Sequence, residues 1–293
     1  MQTLLFSIGI LALAFFTGLH TAAQNAQQRA GSEAWEARNA QRSWRPPAPR
    51  SREVLIVMDE RTQMETLARY LREKGNIESA IVDQKTMPVD WSSYAAVLSY
   101  IHGKLEEKTE LKIIEYTKNG GRFVCLHHAI SSGKLANKYY FDFLGVRMDA
   151  IELSRQPAEP GGHYAWREGI RQTIVNVNPQ HYITSNDMQW AEKTMFVPTD
   201  SDIVGREYPA LTLEDSEAYM NVKFTDGKDK TILLGYKYLD DRNQVLHQQI
   251  IAGWAKRSGK GWIIYLQPGH SVHEYENRAI AQMVLNAISW KPQ

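Results

Sequence analysis

The segment Gly120-Gly121-Arg122-Phe123-Val124-Cys125-Leu126-His127-His128-Ala129 constrains this chain most. A helix-like run ends in a glycine pair, a short apolar run follows, and two adjacent histidines stand where that run should stop. An apolar run without polar alternation suits a strand buried on both faces, the condition of a parallel sheet covered by helices. In open sheets of that kind the carboxyl ends of the strands border the crevice where ligands bind. The histidine pair therefore sits where chemistry is expected.

The flanking sequence supports the same architecture. Val54-Leu55-Ile56-Val57-Met58 is a second fully apolar strand. Residues 62–74 follow as a helix with Met64, Leu67, Ala68 and Leu71 on one face, stopped by Gly75. Residues 79–82 and 94–100 read as further strands, and 105–118 as an amphipathic helix carrying Leu111, Ile114 and Tyr116-Thr117. Strands alternating with helices at this spacing imply right-handed crossovers and a parallel sheet. Past Gly145 the rhythm loosens. Residues 156–162 are turn-rich, and 173–177 alternate as a strand. Residues 219–224 and 231–238 read as a hairpin around Asp226-Gly227, an antiparallel extension of the sheet. Residues 248–254 and 261–266 add strands, and a helix over about 275–289 closes the chain. The fold class is thus α/β, a mostly parallel sheet with helices on both faces plus an antiparallel hairpin extension, with no internal repeat.

Leu4 to Phe16 is a continuous apolar run followed by Thr21-Ala22-Ala23, the pattern of an export signal cut near Ala23, although no Lys or Arg precedes the run. The run is short for a membrane span. Residues 1–23 are expected to be a signal peptide, 24–52 a polar, proline-rich linker, and 53–293 the folded domain. The expected address is periplasmic or secreted, with no stable membrane span after cleavage. The 34 basic and 33 acidic residues leave a net charge of +1, which argues against a nucleic-acid partner. Eight tryptophans and 14 tyrosines supply flat amphipathic surfaces that suit sugars and cores alike. The single cysteine, Cys125, excludes an intramolecular disulfide and reads as a small buried hydrophobe.

Two strand ends carry candidate histidines: His127-His128, and His270 after Pro268-Gly269. Strict alternation along the strand sends the rings of His127 and His128 to opposite faces, so only one is expected to reach a substrate. The other then donates to a backbone carbonyl behind the site. His163 lies on the loop Gly161-Gly162, where functional and solvent-facing histidines both occur. His273 and Glu274 open the last helix, where the dipole alone favours an acid. His181 and His247 read as structural or surface residues. No HExxH, HxH or CxxC pattern occurs, so no cofactor is signalled. A divalent ion stays an open reading, with His127, His163 and His270 as its ligands.

These residues carry a resemblance. The run from Leu105 through Asn119-Gly120-Gly121 and Phe123–Ala129 to Phe143-Leu144-Gly145 resembles the ThuA-like (trehalose utilisation) family. So does Gly259-Lys260-Gly261-Trp262-Ile263-Ile264-Tyr265-Leu266-Gln267-Pro268-Gly269-His270, with the closing Asn286-Ala287-Ile288-Ser289-Trp290. Gly162-His163 is similar to a mid-chain glycine–histidine of that family, and Asn178-Pro179-Gln180-His181 to a segment ending in a family histidine. Glu192 stands near a family acidic pair. The resemblance implies the class I glutamine-amidotransferase-like, flavodoxin-like fold. Its elbow holds a nucleophilic cysteine in true amidotransferases. Here His127 takes that place and Cys125 falls one pleat deeper, so glutamine hydrolysis is rejected.

The resemblance also implies a small carbohydrate substrate, in particular a disaccharide or glycoside oxidised to its 3-keto form. A 3-ketone acidifies the neighbouring C–H, so a glycosidic bond can leave by elimination. That needs a base, an acid and a group that polarises the ketone. The candidate catalytic residues are His127, His128, His270, His163 and Glu192, and the candidate substrate-binding residues are Tyr164, Trp166 and Glu274. Two departures weigh against an intact site. Met58-Asp59-Glu60-Arg61 replaces an expected glycine- and histidine-bearing turn, and the 219–238 hairpin is atypical. The competing reading is a non-catalytic sugar-binding module, with a structural partner in a polysaccharide-processing system as a third. Convergence of the histidines with a carboxylate in one pocket favours the enzyme. Oligomeric state is not encoded.

Overall fold

The computed structural model describes residues 52–149, 151–227 and 229–292. The expected signal peptide and nearly all of the linker fall outside these residues. The first described strand, β1 (Glu53–Met58), is buried after its first residue. Helix α1 (Arg61–Gly75) turns Met64, Leu67 and Leu71 inward. Its end is set one residue later than the sequence implies: Asn76, at φ 50°, is the left-handed cap, and its N–H bonds to Arg72 and Leu71 carbonyls. Strand β2 (Glu78–Val82) and strand β3 (Ala96–Tyr100) both pair parallel with β1, one on each side. The chain therefore reverses direction across the sheet at β1, which opens a crevice above the ends of β1 and β3.

Helix α2 (Glu107–Lys118) then leads to β4 (Arg122–Leu126). The core face of α2 is Thr109, Ile113, Tyr116 and Thr117, while Leu111 is exposed. Glu110 is buried because its carboxylate accepts bonds from Asn137 and the Tyr139 N–H. After α3 (Tyr140–Leu144) and the two-residue β5 (Val146–Arg147), β6 (Ala165–Asn176) enters an antiparallel region. It continues with α4 (Tyr182–Ser185), β7 (Glu192–Phe196), β8 (Arg206–Met220), the short β9 (Lys223–Phe224), β10 (Lys230–Asp240) and β11 (Val245–Ser258). Strand β12 (Gly261–Leu266) returns to the parallel half beside β4. The expected closing helix is two helices, α5 (Val272–Glu276) and α6 (Arg278–Ser289). Asn277 between them is extended and its side chain accepts the Ala279 N–H, which caps α6. Helices α5 and α6 pack with α1, and α2 with α3. Among the described residues no helix is long and apolar enough to cross a membrane.

One ten-stranded sheet runs β2-β1-β3-β4-β12-β11-β10-β6-β8-β7. The antiparallel extension is present, but not as the expected hairpin. Residues 219–224 and 231–238 do not pair with each other, because β6 lies between β8 and β10 and bonds to both. The Asp226-Gly227 turn instead joins β9, which pairs with β5, to β10.

Strand β8 lies five places from β4 in the sheet order, a separation of about 24 Å if the sheet were flat. Glu217 of β8 nevertheless touches His127 at the end of β4. The extension must therefore curl over the strand ends. Its register slips between Glu168 and Gln172, where Gly169 adopts φ 66° and Asp215 on the facing strand φ 49°. Such bulges increase local twist and re-aim side chains. This one adjoins Glu217. A Cβ at Gly169 would meet only Asp215 Oδ1, at 3.8 Å, so the cost of Gly169→Ala is conformational. It is expected to lower stability by about 1–2 kcal/mol, read as a lower urea midpoint at unchanged m-value.

Candidate functional site

Four parallel strand ends meet above the crevice. Asp59 and Glu60 follow β1, His102 follows β3, His127 and His128 follow β4, and His270 follows β12. The Asp59 carboxylate accepts the backbone N–H groups of His102 (2.9 and 2.8 Å) and Gly103 (3.1 Å), fixing the first two ends to each other. Buried Lys134 joins the second to the third. Its ammonium donates to the carbonyls of Ile101, His102 (3.0 Å) and His128 (2.6 Å) and to Ser131 Oγ (3.0 Å). Burial pushes this ammonium down to about 7. Ser131 Oγ donates in turn to the His102 carbonyl at 2.6 Å. The ends enclose a cavity of about 660 Å3, whose lining includes Glu60, His102, His128, Glu217 and His270.

The strand β4 stops at Leu126, and His127 opens a single 3-10 turn at φ 37°. A non-glycine residue in this left-handed region stores about 1–2 kcal/mol of strain and needs surrounding bonds to hold it. His127 has them. Its Nδ1 donates to the Gln267 carbonyl (2.6 Å), and its Nε2 lies 2.8 Å from Glu217 Oε2 and 3.2 Å from His270 Nδ1. Because the chain has left the strand, alternation no longer applies. The two rings do not diverge as expected but lie with centroids 4.3 Å apart. His128 Nε2 is 3.7 Å from the same Glu217 oxygen, and His102 stacks on the His128 ring at 4.7 Å.

Glu217 is the hub. Burial works to raise its carboxyl, but its contacts with His127, His270 and Tyr219 outweigh that and hold it below the usual carboxylate range. For His270, burial opposes the charged ring, yet the bond and charge of Glu217 raise it above the ordinary histidine value. Burial, then the neighbouring His127, push His128 far down, so it stays neutral. On the opposite wall, burial and the charge of Asp59 raise Glu60. Donor atoms of His127, His128, Glu217 and His270 all lie within 4.8 Å of one another, as do those of Glu60, His102 and His128. Both groups offer ligands of the kind divalent cations take.

The remaining expected residues divide. Tyr164 and Trp166 line the cavity, with the Arg155 guanidinium 5.3 Å over the Trp166 ring. Glu274 does not face it. It lies buried behind the site, accepting Ser216 Oγ (2.5 Å), the Gly269 N–H (2.6 Å) and the His270 N–H (3.2 Å), so it positions the neighbours of two site residues. His163 is not brought to the cluster; only its carbonyl is engaged, by Asn221. Glu192 stands exposed on β7, bonded to Thr212, outside the cleft. His181 caps α4, His247 is buried in β11, and His273 is exposed.

Three site residues escaped the sequence reading. His102 and Glu60 follow strands that were recognised, so the strand-end argument that found His127 and His270 reaches them too. Glu217 lies inside an ordinary strand and carries no local signal. The turn Met58-Asp59-Glu60-Arg61, expected to leave the pocket incomplete, supplies Glu60 to its lining and Asp59 to hold the His102 backbone.

Cys125 lies 3.4 Å from the Tyr140 hydroxyl and is fully buried, and burial pushes its thiol up to about 12. Iodoacetamide at pH 8 is expected to leave the native protein unmodified and to alkylate it only after unfolding, read by intact mass.

The sequence model of the ThuA family, trehalose utilisation, matches residues 54–291. No match to a curated protein is significant. Among solved structures the fold is similar to a ThuA-like protein from Bacteroides uniformis, with 18% identity, a TM-score of 0.53, and coverage of 84% of this chain and 93% of that one. A glutamine amidotransferase from Thermotoga maritima aligns at 11% identity and a TM-score of 0.41, covering 81% and 96%. A beta-galactosidase from Rahnella sp. R3 aligns at 12% identity and 0.45, covering 79% of this chain but only 30% of that one. With the doubly wound half, the histidine elbow and a family match spanning nearly the whole described domain, the chain belongs to the ThuA, trehalose utilisation, family.

Proposed function

We propose that this protein is an exported lyase or hydrolase that cleaves an oxidised (3-keto) glycoside or disaccharide by histidine acid–base chemistry. Family membership ties it to carbohydrate utilisation. The observation that carries the finer reading is the convergence of His127, His128 and His270 on Glu217 in a cavity of about 660 Å3 walled by Tyr164 and Trp166. A cavity of that size suits a sugar of one or two rings, and the aromatic wall suits its apolar ring face.

Roles follow from the environments. His102, which lines the cavity beside Glu60 and stacks on the neutral His128 ring, takes the proton from the carbon beside the ketone. The C–H electron pair becomes a C=C bond, and the glycosidic C–O bond breaks. Glu60, raised by burial and by Asp59, delivers its own proton to the leaving oxygen. The group of His127, Glu217 and His270 polarises the ketone oxygen. A second reading, a non-catalytic sugar-binding module, draws on the Arg155-backed Trp166 ring.

Incubation of the protein with 3-keto and ordinary disaccharides, followed by mass spectrometry, separates the two. Turnover of a keto sugar that falls about 10²–10⁴-fold in His102→Ala supports the enzyme. Calorimetric binding without turnover of any sugar in the panel overturns it in favour of the binding module. Export predicts a mature chain beginning near Gln24 when the protein is isolated from its cells.

The pH dependence tests Glu60. An acid must be protonated, so activity is lost as pH rises through its pKa. Because that pKa is raised, the alkaline limb of kcat is expected above the usual carboxylate range of about 4.3. Glu60→Gln, which cannot give up a proton, is expected to abolish the limb and cut kcat by about 10²-fold or more.

A further inference from the structure

The geometry at the cavity floor points to a metal centre: we infer that His127 Nε2, His270 Nδ1 and Glu217 Oε2 bind one divalent ion of the zinc class. Its fourth position opens on the cavity. The inference rests on the function proposed above, in that the ion supplies the electrophile which that reading requires.

His127 Nδ1 lies 2.6 Å from the Gln267 carbonyl, which can only accept, so that nitrogen carries hydrogen. In the neutral ring the lone pair is then on Nε2. It faces Glu217 Oε2 at 2.8 Å and His270 Nδ1 at 3.2 Å. An imidazole lone pair aimed at a carboxylate oxygen needs a positive centre between them. A ring nitrogen bonded to a backbone carbonyl, with its other nitrogen turned inward, is also the usual arrangement of a metal-binding histidine.

His270 Nδ1 is 3.5 Å from Glu217 Oε2, which closes a triangle of 2.8, 3.2 and 3.5 Å. Metal–ligand bonds of about 2.0–2.1 Å in a tetrahedron put its corners about 3.3 Å apart. The three donors already stand at that separation without rearrangement. Two histidines and one glutamate with a position left open is a donor set used for catalytic zinc.

Tyr219 donates to Glu217 Oε2 at 2.7 Å, and Glu274 holds the Gly269-His270 backbone, so each ligand is oriented by a further bond. Among the described residues no lysine lines the cavity, and its wall carries Glu60, Glu152, Glu168 and Glu217 against Arg155. A dication offsets that excess.

The test reads metal rather than turnover. The full chain, stripped with chelator and confirmed folded by circular dichroism, is titrated with Zn2+ by calorimetry and with Co2+ by visible absorption. One equivalent of each is expected, and Co2+ should show the strong visible bands of a four-coordinate site. His270→Ala, at a half-buried position, and Glu217→Gln are each expected to weaken binding more than about 100-fold. Exposed His273→Ala should leave it unchanged. A folded wild-type protein that takes up neither ion, or one-equivalent binding that survives both site substitutions, overturns the inference; a shared proton then fills the gap. Stoichiometric binding without turnover of any keto sugar upholds the metal centre and removes the substrate. Turnover without metal uptake does the reverse.

Discussion

The contact between His127 and Glu217 is the constraint on which the rest of the site depends. Its two partners belong to regions built on different principles. His127 ends a parallel strand in the doubly wound half, and Glu217 comes from an antiparallel strand five places along the sheet. A flat sheet cannot join them. The sheet must curl, and the long strands β6, β8, β10 and β11 with their register slips allow it. Closing the contact also gives the left-handed His127 its stability. Strain of about 1–2 kcal/mol is offset by that contact and by the bond from Nδ1 to the Gln267 carbonyl, itself worth about 0.5–1.5 kcal/mol.

That contact is not isolated. Gln172 of β6 donates to Ser216 Oγ and to the Glu217 carbonyl, and it accepts from Gln267 beyond β12. Ser216 donates to Glu274, which holds the turn carrying His270. A buried polar network of this kind is costly unless its members find partners. Here it runs from the extension to the end of β12 in the parallel half, passing behind the cavity. Glu217 and His270 are thus positioned by one connected set of bonds, and a change in the curl moves both. Residues such as Glu274 and Gln172 govern the site without facing it.

How much of this is legible in the sequence differs between the two halves. Apolar runs and glycine stops locate β1, α1, β3, α2, β4 and β12, because these elements are fixed by local periodicity and by burial on both faces. Strand-end logic then finds His127, His128 and His270, and applied to every strand it finds His102 and Glu60. The extension resists such reading. Residues 219–224 and 231–238 carry a fair hairpin signal, but pairing is a contest between non-local partners, and β6 outcompetes the turn by bonding to both strands. Glu217 is invisible for the same reason. Nothing near it in sequence distinguishes it from Glu214, and only the curl selects one and leaves the other exposed. His163 and Glu192 illustrate the converse, since a suggestive local context does not bring a side chain to the cluster.

The elbow also explains why likeness of fold does not carry chemistry with it. A side chain at a strained strand-to-turn position is held in one direction, and what it does there depends on its atoms. A thiolate held at such an elbow is suited to act as a nucleophile. In this chain the only thiol lies within β4, buried against Tyr140 and pushed up to about 12. The elbow instead presents an imidazole whose Nδ1 is tied to a carbonyl and whose Nε2 is aimed at a carboxylate and a second imidazole. That arrangement suits proton transfer and cation binding and is poorly placed to attack a substrate, because the Nε2 lone pair is directed at its own neighbours. What such an elbow suits therefore depends on the side chain it holds, first a thiolate for attack and second an imidazole for proton transfer or cation binding. The curled extension makes the second possible by delivering Glu217.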